Sequence, residues 1–234
     1  MAPPSNNSPD DSHRSVDSLG QSERSAFLRF RTAVLYSVDM LTEKERQEHE
    51  RLSELEMTER ERKTCEKWKQ HFLDQSPMVR FMMAELNKAG CPFESKHLRC
   101  LPCDLTRSGG FGPREGVALC QNRFINKQHM EDTLSHELLH AYDHCRFKVQ
   151  WDNIKHHACS EIRAASLSGD CKWTRELRRG NLSFLKQHQA CVKRRAILSV
   201  KQNPACPSED EAVAAVTEVF ESCFTDTRPF DDIY

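Results

Sequence analysis

The chain has 234 residues, with 34 Lys and Arg against 35 Asp and Glu, enough for one sizeable domain plus extensions. A net charge near zero argues for neither nucleic acid nor lipid headgroups as a partner of the whole surface. No apolar run approaches the roughly 18 residues that would span a bilayer.

Residues 1–25 are polar, rich in Ser, Asn, Pro and Asp. They show no apolar core of a secretory signal and no Arg-rich, acid-poor presequence, and a disordered tail is expected there. Residues 26–75 form a charged helical extension in this reading. Within it, 27–41 carries enough apolar side chains to dock as an arm or short helix rather than insert into a membrane. Thr42-x-x-Glu45 then opens, as a capping box, a solvated helix over 43–69.

A folded domain is expected over 76–234. An amphipathic helix covers 78–86 and closes at Asn87-Lys88-Ala89-Gly90, with Gly90 as its C-cap and Pro92 forbidding continuation. Gly109-Gly110-Phe111-Gly112-Pro113 is a turn cluster and Gly116–Cys120 a short buried strand, together a small hairpin or meander. The edge of the last strand could hold an extended peptide by backbone pairing. Further helices follow over 156–168, rich in small residues, within 177–203, which has a basic face (Arg178, Arg179, Lys193, Arg194, Arg195), and over 211–224, with Val213, Val216, Phe220 and Cys223 apolar.

The rest of the chain is arranged around the helix expected over 129–147. It contains His136-Glu137-Leu138-Leu139-His140, an H-E-x-x-H. Residues i and i+4 share a helical face, so both imidazoles can reach one metal ion. Two such histidines suit tetrahedral Zn²⁺, and Glu137 can act as general base on a water that the ion activates. Leu134, Leu138, Ala141 and Cys145 form an apolar stripe roughly opposite the histidines.

Catalytic zinc takes three protein ligands. Glu161, 21 residues beyond His140 on the small-residue helix, is the leading third, giving His₂Glu. Asp143 is too far along the axis to chelate easily and is better placed to orient His140. His144, His156 and His157 are weaker alternatives. His144, Tyr142 and His157 could each donate to a transition-state oxyanion. The longer H-E-x-x-H-x-x-G-x-x-H pattern fails, since those positions hold Asp143 and Arg146.

The eleven cysteines run from Cys65 to Cys223. That density suggests an oxidising compartment, and the odd count leaves at least one thiol unpaired. Many cysteines without a signal fits the mitochondrial intermembrane space; the alternative is a cytosolic chain with buried thiols. Cys91, Cys100, Cys103 and Cys120 could form a structural Cys₄ zinc site, but no second C-x-x-C accompanies Cys100-x-x-Cys103, and disulfides are preferred.

The segments VALCQN (117–122), SHELLHAYDHCR (135–146), HACSEIRAA (157–165), LSGDC (167–171) and VFESCF (219–224) resemble the mitochondrial inner-membrane metalloprotease family of ATP synthase assembly. Vertebrate members also carry a Ku-binding protein name. The resemblance covers about residues 65–230. It implies an α+β, zincin-like metallopeptidase, mostly helical, with a small sheet before the H-E-x-x-H helix. It makes His136 and His140 metal ligands, Glu137 the catalytic glutamate, and Cys206 the one cysteine outside the family's set.

It also implies one catalytic Zn²⁺, a peripheral place on the inner membrane facing the intermembrane space, and ATP synthase subunit 6 as polypeptide substrate, with help in assembling the membrane sector. Two other functions stand beside the endopeptidase. One is a non-proteolytic assembly chaperone; the other is a nuclear Ku-associated DNA-repair accessory, which the basic face would serve.

Overall fold

The computed structural model describes residues 41–103, 107–171 and 187–231. The expectations for 1–25 and 27–40, and for Arg178 and Arg179, lie outside the described residues. The chain divides into two units, Met1–Met57 and Thr58–Tyr234.

The described elements are mostly helical with one small sheet. Helix α1 spans Glu43–Gln75. The capping box forms at its start: Glu45 accepts from Thr42 N–H at 2.9 Å, and Thr42 Oγ1 accepts from Glu45 N–H at 3.4 Å. The helix is not solvated throughout. Cys65, Lys69 and Phe72 are buried, and Lys69 Nζ donates to the Leu98 carbonyl at 3.0 Å. Periodicity hid this, because the docked face includes a lysine whose stem is apolar and whose head finds a carbonyl.

Helix α2, Pro77–Lys88, starts where Ser76 Oγ accepts from Val79 N–H, with proline at the first position, and is capped by Ala89 just before Gly90. Three strands follow: β1 Leu98–Leu101, β2 Gly109–Gly112 and β3 Gly116–Cys120. Their order is β1-β3-β2, with β1 parallel and β2 antiparallel to β3. The β2–β3 hairpin matches expectation, but the sheet is not a meander, and the glycines at 109–112 are a strand rather than a turn.

The last strand is therefore central, and the edges belong to β1 and β2; β2 is the one that lines the H-E-x-x-H helix. Glycine is needed there for packing. A Cβ on Gly109 would stand 2.7 Å from Thr133 Cγ2 and 3.4 Å from Glu137 Cγ, so only a bare backbone lets β2 lie this close to the next helix.

That helix, α3, spans Lys127–Phe147, with Asn126 accepting from His129 N–H and Lys148 left-handed at its end. Helices α4 (Ile154–Leu167), α5 (Gln187–Val200) and α6 (Glu209–Phe224) complete the fold. On α6 the buried face uses Ala212, Ala215, Val216, Phe220 and Cys223, while Val213 is exposed. Val213 and Ala212 fit the helical period equally well, and contact with α4 and α5 selects the smaller residue.

Two apolar clusters form the interior of the larger unit. One joins the end of α1 with α2, the sheet and α3, through Phe72, Met82, Leu119, Leu134 and Leu138. The other joins α4, α5 and α6 through Ile162, Val192, Val216 and Phe220. Each such side chain contributes about 1.5–3 kcal/mol on burial. Helix α4 supplies both, with Ala164 in the first and Ala158, Ile162 and Ala165 in the second.

Ten cysteines pair as Cys65–Cys100, Cys91–Cys145, Cys103–Cys120, Cys159–Cys223 and Cys171–Cys191; Cys206 is free. All four cysteines of the Cys₄ alternative are consumed in disulfides. Cys65–Cys100 lies in the first cluster and Cys145 packs against it, while the last two bonds belong to the second; none joins the one cluster to the other. Cys103–Cys120 closes a separation of 17 residues, so Cys103→Ala/Cys120→Ala is expected to lower stability by about 3 kcal/mol. Urea denaturation of the double variant under non-reducing conditions measures this, and a midpoint equal to wild type would contradict it.

The segment after α6 is fixed by Arg163, whose Nη1 reaches the Asp226 carbonyl at 2.6 Å and its carboxylate at 2.7 Å. The Arg228 hydrogen bond, against burial and assisted by Arg163, holds the Asp226 carboxyl below its usual 3.8. A depressed folded value stabilises the fold above the unfolded pKa, and that contribution disappears as pH falls through the folded one. Asp226→Asn should therefore melt below wild type at pH 7, with the gap closing once pH drops under 3.8. Thermal denaturation from pH 7 to pH 2 reads the gap, and one that widens in acid would refute it.

Candidate metal centre

The seam between the two apolar clusters is polar. From α3 come His136, Glu137, His140 and Asp143; from α4 come His157, Ser160, Glu161 and Arg163; Asp170 follows α4. His140, Glu137, Asp143, Ser160, Glu161, Arg163 and Asp170 are all buried. Small residues on α4 (Ala158, Ser160, Ala164) let the helices approach closely enough for their polar side chains to interleave.

His136, His140 and Glu161 each offer one donor atom, and the three atoms lie within 4.8 Å of one another. Glu161 Oε2 is 3.5 Å from His136 Nε2 and Oε1 is 3.4 Å from His140 Nε2. Neighbouring donors around a tetrahedral ion with bonds of 2.0–2.1 Å stand about 3.3 Å apart. The spacing therefore suits a small divalent cation.

The outer nitrogens decide which face each ring offers. Ser160 Oγ donates its one hydrogen to Asp143 Oδ2 at 2.9 Å, so it accepts from His140 Nδ1 at 2.8 Å. His140 thus carries its proton on Nδ1 and directs the Nε2 lone pair toward Glu161. His136 places Nδ1 3.2 Å from Asp170 Oδ2, a charge contact too angled to be a hydrogen bond. His140 is anchored through Nδ1 and open at Nε2, the arrangement that protein partners impose on metal-ligating histidines, and His136 sets its Nδ1 against the Asp170 carboxylate.

Charge supports the same chemistry. Burial would lower the His136 pKa, but the Asp170 and Glu161 carboxylates outweigh it and raise it to about 10. The pocket thus calls for positive charge beside those carboxylates. Burial opposes ionisation of Glu161, yet His140, His136 and His157 hold its carboxyl well below the usual range. Burial pushes Glu137 up, with Glu161 and Asp170 reinforcing and the two histidines opposing. Asp143 is also raised by burial, against Arg163, His140 and Ser160. The ligand-side carboxylate is thus kept ionised and the neighbouring one is suited to carry a proton.

An open groove of about 1030 Å³ runs past these residues, lined by Gly109, Gly110 and Phe111 of β2, by His136, Glu137, His140 and Glu161, and by Trp151, Arg195, Leu198 and Asn203. The other residues singled out by sequence fall elsewhere. Asp143 does not join the three donors and meets His140 through Ser160. His144 Nδ1 accepts from Trp151 Nε1 at 3.3 Å and does not line the groove. His156 accepts from Gln150 N–H on the exposed side. Tyr142 packs against Phe147, away from the groove. Of the oxyanion candidates only His157 lines it, and His157 faces Glu161.

Sequence reasoning missed Ser160, Asp170, Arg195, Ser199 and Asn203. Ser168-Gly169-Asp170 was the one available signal, a turn placing an acid just past α4, where Ser168 Oγ accepts from Asp170 N–H. Two of the basic-face residues have other uses: Arg195 pairs with Asp170 at 2.7 Å, and Lys193 lies over the Phe220 ring. That weakens the case for a nucleic-acid surface.

Paired imidazoles from one helix, a carboxylate from the next and a second glutamate at an open groove have the chemistry of a hydrolytic metal centre of the peptidase type. Residues 63–231 match the Peptidase M76 family, and the chain belongs to it. It is 50% identical over 176 residues to "Mitochondrial inner membrane protease atp23" of Schizosaccharomyces pombe, covering 75% of this chain and 95% of that protein. The Malassezia globosa protein of the same name is 52% identical (72% and 76% covered), and that of Yarrowia lipolytica 46% identical (90% and 84% covered). No solved structure matches.

Proposed function

We propose that the protein is a zinc-dependent endopeptidase with a zincin-like active centre, working in the mitochondrial intermembrane space while held peripherally on the inner membrane. Its proposed substrate is ATP synthase subunit 6, with a further role in assembling the membrane sector. One observation carries the enzymatic reading: His136, His140 and Glu161 each bring a donor atom within 4.8 Å of the others, with His140 held through Nδ1 by Ser160. The names of the relatives support the membrane and organelle. The family resemblance supports the substrate. No helix among the described residues is long and apolar enough to cross a membrane.

In this reading His136, His140 and Glu161 hold the ion, which when bound supplies Lewis acidity at the scissile carbonyl. The free edge of β2 pairs with an extended peptide and presents that carbonyl beside the donors. Glu137 Oε takes a proton from the attacking water and delivers it to the departing amide nitrogen. Asp170, and Asp143 through Ser160, keep the imidazoles turned. Arg163 balances Asp143.

Purified wild-type protein should contain one Zn²⁺ per chain by elemental analysis, and His140→Ala or Glu161→Ala should contain almost none. Dialysis against a chelator should abolish peptide cleavage, with Zn²⁺ restoring it. Stoichiometric zinc in Glu161→Ala would eliminate Glu161 as third ligand; cleavage by metal-free protein would eliminate the metal mechanism. In cells, Glu137→Gln separates the two roles: loss of subunit 6 processing with assembly retained would mark an assembly function independent of proteolysis.

A further inference from the structure

The two carboxyl oxygens of Glu161 have unlike surroundings. Oε1 accepts from Ser199 Oγ at 2.6 Å and faces His157 Nε2 at 3.2 Å. Oε1 also lies 3.4 Å from His140 Nε2, whereas Oε2 has His136 beside it, with Nε2 3.5 Å away. The direction of the His157 bond follows from Asn203. The Asn203 amide oxygen accepts from Ala205 N–H at 2.9 Å, and its nitrogen donates to the Trp151 carbonyl at 2.8 Å. These two backbone partners set which end of the amide is which. In the 2.9 Å contact between Asn203 Nδ2 and His157 Nδ1, the amide is therefore the donor. His157 Nδ1 accepts, its ring proton sits on Nε2, and that proton is given to Glu161 Oε1.

We propose that Ser199, His157 and Asn203 form a clamp that occupies one oxygen of Glu161 and leaves the other for the ion, so that Ser199 and Asn203 are positioning residues for the metal. The proposal rests on the reading of Glu161 as third ligand. The clamp comes from a part of the chain remote from the H-E-x-x-H. Ser199 lies 38 residues beyond Glu161, on α5, and Asn203 is in the turn that follows. Cys171–Cys191 ties α5 to the residue after Asp170, so the partners of both carboxylates are carried on cross-linked backbone. A carboxylate with two donors on one oxygen has little freedom to rotate away from the histidines. Partners of this kind are worth about 10–100-fold in metal affinity.

The test is Zn²⁺ affinity by competition with a chromophoric chelator, on the full chain with its disulfides intact. The variants are Glu161→Ala, Ser199→Ala, Ser199→Thr, Asn203→Ala and each clamp alanine combined with Glu161→Ala. Ser199→Ala and Asn203→Ala are each expected to weaken Zn²⁺ about 10–100-fold, Ser199→Thr to keep most of the affinity, and neither alanine to matter once Glu161 is gone. A serine that merely supports the fold would weaken binding equally in both backgrounds, and that result overturns the clamp. Wild-type affinity in both single alanine variants does the same. Unchanged affinity in Glu161→Ala would remove the ligand itself, a distinct failure. If Ser199→Ala does not fold, the Asn203→Ala pair carries the comparison.

Discussion

Glu137→Gln is expected to reduce peptide hydrolysis about a thousandfold, near 4 kcal/mol in the barrier, while zinc content and melting temperature hold or rise. Glutamine matches glutamate in shape, so Gly109 of β2 keeps its seat against residue 137, but the amide accepts no proton. Glu137 does not belong to the group of three donors, so metal should be retained. Burial already disfavours its charged form, so removing the charge relieves the fold. Steady-state cleavage of a peptide from the proposed substrate, with elemental analysis of the same sample, decides the matter. Activity within tenfold of wild type would rule out Glu137 as the base.

Arg163→Met should cause the largest loss of stability, about 4 kcal/mol. Arg163 is 1% exposed. Its Nε donates to Asp143 Oδ1 at 3.0 Å, Nη1 reaches Asp226, and Nη2 donates to the Arg228 carbonyl. Its guanidinium also lies over the Phe147 ring. Methionine fills much of the volume but leaves Asp143 buried without a cation and two carbonyls without donors. Adding Asp143→Asn should recover part of the loss, because the uncompensated charge goes with it. Chemical denaturation of both variants measures the difference; a loss under 1 kcal/mol would show that the buried pair is dispensable.

The sequence made the H-E-x-x-H helix legible, because a four-residue spacing and a 3.6-residue period are local properties. Helices α2, α3, α4 and α6 were legible for the same reason. The proximity of Glu161 to the histidines could be inferred from a loop-and-return distance, since α4 packs against α3. Ser199 and Asn203 could not be. Their meaning depends on how α5 is brought against α4, and a serine and an asparagine near a helix end carry no mark of what they touch. The glycines of β2 were misread because glycine signals turns far more often than it signals a strand pressed onto a helix. Lys69 and Val213 show the converse, in which hydropathy named the wrong face until a neighbour was in place.

The segregation of the disulfides has a consequence for how the molecule comes together. Six cysteines, all before residue 146, close among themselves, and four after residue 158 do likewise. Sorting the first six thiols leaves roughly 15 pairings, and sorting the later thiols, Cys206 included, leaves about 15 ways to make two bonds, far fewer than all the thiols competing at once. An oxidant meeting the chain from its amino end could complete the front half before the back half arrives. The polar seam, where side chains of α3 meet those of α4, would then assemble last, so that half-oxidised protein would lack the proposed metal centre.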